Sequence, residues 1–303
     1  MTTLFLSSGD LLADRRFAYA QEFAARGDLA AAADLLTQTV AAAPRFASAW
    51  FALGDVQERL RKPAEAAQAF ERARALDDGD RHGAGLRLAR LGRCDTGMPP
   101  AYVETLFDQY ADRFDRALVD GLAYRGPALL RSAVEETAGS RRFARMLDLG
   151  CGTGLAGEAF RDLADRITGI DLSTRMLALA RAKGIYTDLV QADIVGYLQG
   201  QASAACDLIV AADVFAYLTD LAPVCAAAAH SLAPGGVFAF TVETHAGDDV
   251  VLGHKLRYAH GTAHVRAAVA GAGLTKLNLR MASSRLEAGA PVDGLVVTVH
   301  KNG

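Results

Sequence analysis

The stretch "MLDLGCGTGLAGEAF", residues 146–160, ends an apolar run on an acid and three glycines, Asp148-x-Gly150-x-Gly152-x-Gly154. Glycines at alternate positions past an apolar strand let the backbone turn tightly and approach a ligand closely. The same residues also spell Gly152-x-Gly154-x-x-Gly157, the spacing of a dinucleotide-binding turn. Four later apolar runs also close on carboxylates, at Asp171, Asp193, Asp213 and Glu243. Core packing does not explain them, because buried strand positions favour Val, Ile and Leu and an unpaired buried carboxylate is costly. Asp193 also reads as a helix N-cap. Taken together, the acids imply a polar, donor-rich ligand lying across one edge of a sheet.

Two ligands fit this pattern. Asp171 lies about 20 residues beyond the loop, where a carboxylate holds ribose hydroxyls in either case. In a dinucleotide turn the first glycine follows directly on the strand. That place is Gly150, and the sixth position counted from it is Leu155. The shifted match from Gly152 would carry the strand through Gly150, which is unfavourable. Asp148 beside a pyrophosphate would also bring like charges together. A carboxylate there suits the ammonium group of S-adenosylmethionine, which has no phosphate. The residues therefore favour S-adenosylmethionine over a nicotinamide dinucleotide.

In unbroken order, the glycine loop, "GIDLS", "QAD", "DLIVAADVFAYL" and "LAPGGVFAFTVE" resemble the motifs of class I S-adenosylmethionine-dependent methyltransferases, in particular the ubiquinone/menaquinone type. The flanks "LFDQYADRFDRALVDGLAYRGPALL" and "RYAHGTAHVRAAVAGAGL" resemble methyltransferases that carry N-terminal tetratricopeptide (TPR) repeats. The resemblance implies an α/β, Rossmann-like class I methyltransferase fold. Its seven-stranded sheet would take the last strand, "GLVVTVHK", antiparallel, and a small all-α TPR-like domain would precede it. It also implies that Asp148, Gly150, Cys151, Gly152 and Gly154 lie against the methionine portion and that Asp171 grips the ribose. Asp193 would face the adenine amino group with Ile194 on the ring. Ala211 and Asp213 would line the methionine side, and Tyr110 would close over the cofactor. Leu172 and Met176 either touch the adenosine or pack the core.

Methyl transfer is an in-line displacement from an activated sulfonium, so the protein's work is alignment and exclusion of water. A base is required only if the acceptor must lose a proton. The segment "ETHAGDDVVLGHKLRYAHGTAHV" offers Glu243, His245, His254, Arg257, Tyr258, His260 and His264 as acceptor contacts. Of these, Glu243, Arg257, Tyr258 and His260 are the catalytic candidates. His260 reads as a base or substrate contact, or as a cap on the next helix. Arg257 reads as a partner for an acidic substrate, or as a solvated surface side chain. The four-residue spacing of His260 and His264 lacks a third ligand, so no metal is expected. The nucleic-acid amino-methylation signature is missing, since "AADVF" stands in its place. This leaves a small-molecule acceptor ahead of a protein side chain. The alternative is a non-catalytic scaffold that binds S-adenosylmethionine.

These residues need a parallel sheet to gather them, and strand-like runs alternate with helical ones from residue 101 onward. Residues 1–92 instead repeat at an offset of 34, from Ala13 and again from Ala47, which is the TPR period. Trp50, Leu53, Gly54, Ala66, Phe70 and Ala73 fit the pattern in the second copy, and Ala20, Ala32 and Pro44 in the first. This TPR-like unit reads as a protein-binding surface or a dimerisation arm. Residues 83–92 would cap it, residues 93–100 form a linker, and 101–303 make the second domain. The chain of 303 residues is 51% hydrophobic and 22% charged, with net charge −3. Such a composition gives no electrostatic case for nucleic acid or a membrane surface. Scattered cysteines without C-x-x-C spacing, and an opening stretch unlike a signal peptide, suggest a cytoplasmic protein.

Overall fold

The computed structural model describes residues 4–93 and 97–302. Cys94 and the middle of the expected linker lie outside the described residues, while Cys151, Cys206 and Cys225 are buried free thiols. Contacts divide the chain into two compact units, Met1–Thr105 and Leu106–Gly303.

The first unit is a stack of helical hairpins: α1 (Leu11–Ala25) with α2 (Leu29–Ala42), then α3 (Ala47–Arg59) with α4 (Pro63–Ala75). Asp10 and Asp28 cap the first two helices, accepting from the amides of Leu12, Ala13 and Ala31. Pro63 opens α4, where its missing N–H costs nothing. Ala20, Ala32, Ala66 and Phe70 are all wholly buried. Gly54 is needed for this packing, because a Cβ there would stand 2.6 Å from the Phe70 ring. A fifth helix, α5 (Ala84–Arg90), packs on α4. Its first amides, at Ala84 and Gly85, are received by the Asp80 carboxylate. Arg87 ties α5 back to Asp55 and Glu58.

After α6 (Pro100–Tyr110), the chain continues as a 3-10 turn (Ala111–Arg113), the short α7 (Phe114–Arg116) and a π turn (Ala117–Gly121). α8 (Gly126–Ala138) then leads into the sheet: β1 (Phe143–Leu149), α9 (Leu155–Phe160), β2 (Ala164–Asp171), α10 (Thr174–Ala182), β3 (Asp188–Gln191), α11 (Ile194–Gln199), β4 (Cys206–Ala211), α12 (Ala222–Ser231) and β5 (Leu232–Glu243). Next come the short strands β6 (Val250–Leu252) and β7 (Tyr258–His260), then α13 (Thr262–Gly271), β8 (Leu274–Met281), the small hairpin β9 (Leu286–Glu287) and β10 (Ala290–Pro291), and β11 (Gly294–Lys301).

The main path runs β3-β2-β1-β4-β5-β11-β8. β1 to β5 pair in parallel, and β11 is antiparallel to both β5 and β8. This is the expected seven-stranded arrangement with its last strand inverted. It is extended by β7, which pairs with Glu243 at the end of β5 and with β6. Both faces are covered, as a parallel sheet requires. Phe238, Phe240 and Val297 point into one apolar layer with Phe215 and Val224, and Val237, Ala239 and Val296 into the other with Phe143 and Phe160.

Gly54→Ala tests the helical packing. Crowding against the buried Phe70 should cost about 1–3 kcal/mol, more than the ~1 kcal/mol that alanine gains in a helix. The urea midpoint, followed by Trp50 fluorescence, should fall; a raised midpoint would mean that the ring gives way freely.

Candidate active site

The turn after β1 uses three left-handed glycines, with φ of +62° at Gly150, +53° at Gly152 and +96° at Gly154. A Cβ at Gly150 would also stand 2.6 Å from Val214. Asp171, the last residue of β2, pins this turn. One carboxylate oxygen accepts from the Gly152 amide at 2.8 Å and the other from the Ser173 amide at 2.8 Å. Burial raises the Asp171 pKa, and these backbone bonds oppose it. Cys151 turns inward, 5% exposed, with its amide donating to the Ile170 carbonyl.

Asp148 departs from the expected ammonium contact. Its side chain is 1% exposed and accepts from the Tyr186 hydroxyl at 2.6 Å. Burial, with Asp171 adding to it, pushes its pKa up to about 7 against the Tyr186 and Gly157 hydrogen bonds. Gly157 makes room for this pair, since a Cβ there would lie 2.5 Å from the Tyr186 oxygen. Asp148 therefore supports the loop from beneath.

The broken segment after α6 is tied to the loops by its acids. Asp108 accepts from the Ser173 hydroxyl, and Asp115 accepts from the Thr153 hydroxyl and from Lys183. Phe114 stands over the loop, 3.7 Å from where a Gly152 Cβ would be. Tyr110 packs edge-on to Phe114 and carries Arg113 over its ring. These side-chain ties explain why a regular helix does not continue. Phe107 reaches Tyr217 in the turn after β4, with ring centroids 5.3 Å apart.

Beyond β4 and β5 lies an ion network centred on Arg285. Its guanidinium, 5% exposed, meets Asp213 at 2.7 Å, Glu287 at 3.3 Å, and Glu243. Burial works against this charge, but the three acids hold the Arg285 pKa above its ordinary value. Arg257 joins Glu243 by a charge contact without hydrogen-bond alignment, and pairs with Glu287. Burial would raise Glu287, yet Lys255, Arg257 and Arg285 bring it down to about 2. Asp213 sits at φ +58°, held by Thr241, which receives its amide and donates back to its carboxylate. Burial pushes the hydroxyls of Tyr124 and Tyr217 up, with Asp213 and Arg285 beside both.

The remaining expected residues divide. Asp193 caps α11, accepting from the Gly196 amide, and is exposed. Ile194, Met176 and Ala211 are buried in the core, and Leu172 is half-buried. Tyr258 is 5% exposed within β7. His260 is corrected. Its ring is wholly buried, and Nε2 stands 2.9 Å from the Leu218 carbonyl, so that nitrogen is the donor. Burial holds its pKa near 4. It ties β7 to the turn after β4 from the interior. His264 stacks 5.5 Å away. Among the described residues no three such side chains converge as metal ligands. Sequence reasoning missed Arg285, Glu287, Lys255, Tyr124, Tyr186 and Tyr217; a glycine two residues beyond Tyr124 was the one local hint, because a Cβ on Gly126 would strike its hydroxyl.

Two predictions follow from these geometries. Between about pH 4 and 7 the folded state keeps the Asp148 proton that the unfolded chain has lost, so this group's contribution to stability falls as pH rises through that window. Asp148→Asn keeps an acceptor for Tyr186 and removes the effect. Its melting temperature relative to the parent should rise from pH 5 to pH 8, by ~2–4 °C per kcal/mol; a flat difference would refute the buried, protonated acid. Arg285→Leu should cost about 3–5 kcal/mol by stranding three carboxylates, with partial recovery in Arg285→Leu/Glu243→Gln. Denaturation curves matching the parent would show that Arg257 and Lys255 suffice alone.

Comparison with known proteins agrees with this geometry. The methyltransferase domain family matches residues 147–240, and the tetratricopeptide repeat family matches residues 47–80. Malonyl-[acyl-carrier protein] O-methyltransferase of Enterobacter lignolyticus is 36% identical over 133 residues, 44% of this chain and 47% of that protein. Ubiquinone biosynthesis O-methyltransferase of Bordetella pertussis is 32% identical over 106 residues, 34% and 44% of the two chains. The chain thus spans about half the length of the curated relatives it matches. The crystal structure of Burkholderia thailandensis 1,6-didemethyltoxoflavin-N1-methyltransferase shares the fold, with TM-score 0.54 and 18% identity over 69% of this chain and 93% of that one. Sheet order, glycine loop and family match agree on a methyltransferase domain that includes residues 147–240, with a tetratricopeptide-repeat match at residues 47–80 ahead of it.

Proposed function

We propose that this chain is an S-adenosylmethionine-dependent methyltransferase acting on a small-molecule acceptor, with the helical unit serving protein interaction or self-association. The observation that carries it is the Gly150–Gly154 turn pinned to Asp171 at the carboxyl edge of β1 and β2. In open α/β sheets ligands gather at that edge, near the change in strand order between β1 and β4. The residues present fit the cofactor. Glycine backbone with no Cβ in the way suits a close approach, and Asp171 retains lone pairs for hydroxyl donors beyond its two amide bonds. Bound there, S-adenosylmethionine would supply a methyl group already activated on sulfur.

The rest falls to this chain's own side chains. Phe114 and Tyr110 cover the loop and keep water out. Asp213 and Glu243, fixed by Arg285, and Arg257, held by Glu243 and Glu287, present polar atoms on the β4–β5 side, where an acceptor would be oriented. Relatives named for O-methylation, and a structural neighbour holding S-adenosylhomocysteine, support this reading. No helix among the described residues is long and apolar enough to cross a membrane.

Calorimetry with S-adenosylmethionine, S-adenosylhomocysteine and NADH tests the assignment. The first two should bind and NADH should not; the reverse would overturn it. Asp171→Ala should lose roughly 100-fold in S-adenosylmethionine affinity while keeping the parent's far-UV spectrum, and unchanged affinity would remove Asp171 from the site. Methyl-labelled S-adenosylmethionine in fractionated extract then reports whether label reaches small molecules. Binding without any labelled product would favour a non-catalytic scaffold.

A further inference from the structure

The helical unit carries a piece of its own chain laid across it. Residues 4–8, "LFLSS", precede α1 in extended form. Their exposure alternates, with Leu4, Leu6 and Ser8 half-buried and Phe5 and Ser7 exposed. That is the period of an extended peptide resting on a surface. The Leu6 amide donates to the Ser48 hydroxyl at 2.9 Å, and the Leu6 carbonyl lies 3.4 Å from the same oxygen. Ser48, on α3, is wholly buried. Its oxygen is 3.0 Å from His82 Nε2, whose other nitrogen faces Asp77 at 3.3 Å. The Leu4 backbone adds a hydrogen bond to His82. Alternate backbone units are thus read by one buried polar chain, Ser48–His82–Asp77. On the other side Phe5 meets Phe17 and Phe46, with centroids 5.7 and 6.1 Å away.

A buried serine–histidine–aspartate chain is costly in a helical stack unless every member is satisfied. Here its outer end is satisfied by peptide backbone, which any extended segment could supply. The receiving groups come from α1, the start of α3 and the turn before α5. The hold is modest, since Phe5 remains 50% exposed. Main-chain recognition beside an aromatic pocket is also how extended peptides bind to proteins in general.

We propose that residues 4–8 occupy, within their own chain, a binding site for an extended partner peptide with an aromatic residue between two aliphatic ones, and that the segment must leave before the partner binds. Ser48 and His82 read the partner's backbone, and Phe17 and Phe46 take its aromatic ring. The inference rests on reading the helical unit as an interaction surface.

A fluorescent peptide copying residues 4–8 is the probe, titrated by polarisation against the full chain and against a chain beginning at Ser7. A tethered competitor acts at an effective concentration of order millimolar, so the shortened chain should bind at least about tenfold tighter. Phe5→Asp in the full chain should move affinity the same way without shortening it, and decides the matter if the shortened chain loses helix content. Ser48→Ala in the shortened chain should weaken binding several-fold. Equal binding by the full and opened chains overturns self-occupancy while leaving the interaction surface standing. No binding to opened chains of unchanged far-UV spectrum overturns the site, and S-adenosylmethionine calorimetry on the same samples keeps that result separate from the methyltransferase reading.

Discussion

The hydrogen bond from the Gly152 amide to the Asp171 carboxylate joins the two loops on which the site depends. Left-handed backbone at three glycines within five residues leaves a turn that many conformations could replace. Asp171 removes that freedom by holding the middle of the turn, while its other oxygen holds Ser173, the residue that caps α10. One carboxylate therefore sets the β1 loop, the β2 loop and the start of a helix. Burying an acid is unfavourable, and the cost is offset because its bonds go to backbone amides that would otherwise stay unsatisfied.

The sequence made this core of the site legible because its signals are local. The glycines, the apolar runs and the acid that ends each run lie within a few residues of one another, and strand alternation fixes which end they share. Side-chain direction was not legible. Asp148 precedes the glycines and carries the charge that a methionine ammonium would want, yet it faces Tyr186 from 38 residues later in the chain. Gly157, the glycine that made the rival dinucleotide reading tempting, is small because Tyr186 passes over it. Neither residue announces the other in sequence.

The β4–β5 side was harder still to read. Arg285 lies in a short irregular stretch with no periodic pattern, and its three partners come from the end of β4, the end of β5 and the β9 hairpin. Only the completed sheet, with β11 inserted between β5 and β8, brings these positions together. His260 shows the converse error. A histidine in a polar, loop-like stretch looked available, but β7 pairs with β5 and turns that ring into the interior. The helical repeats were legible for the opposite reason, since each hairpin packs on its sequence neighbour at a fixed period.

This division has a consequence for how the two halves of the site can vary. The glycine loop, Asp171 and Asp193 all come from β1 to β3, where each position is fixed by backbone geometry or by capping. The groups on the β4–β5 side are held instead by side-chain charges drawn mainly from residues 241–287, a region of short strands and turns. Backbone-defined positions tolerate little change, because a Cβ or a lost carboxylate disturbs the turn itself. Side-chain networks can be rebuilt piece by piece if every charge keeps a partner. On the proposed reading, this separation gives one rigid edge for the cofactor and a neighbouring edge whose side chains can change with the acceptor.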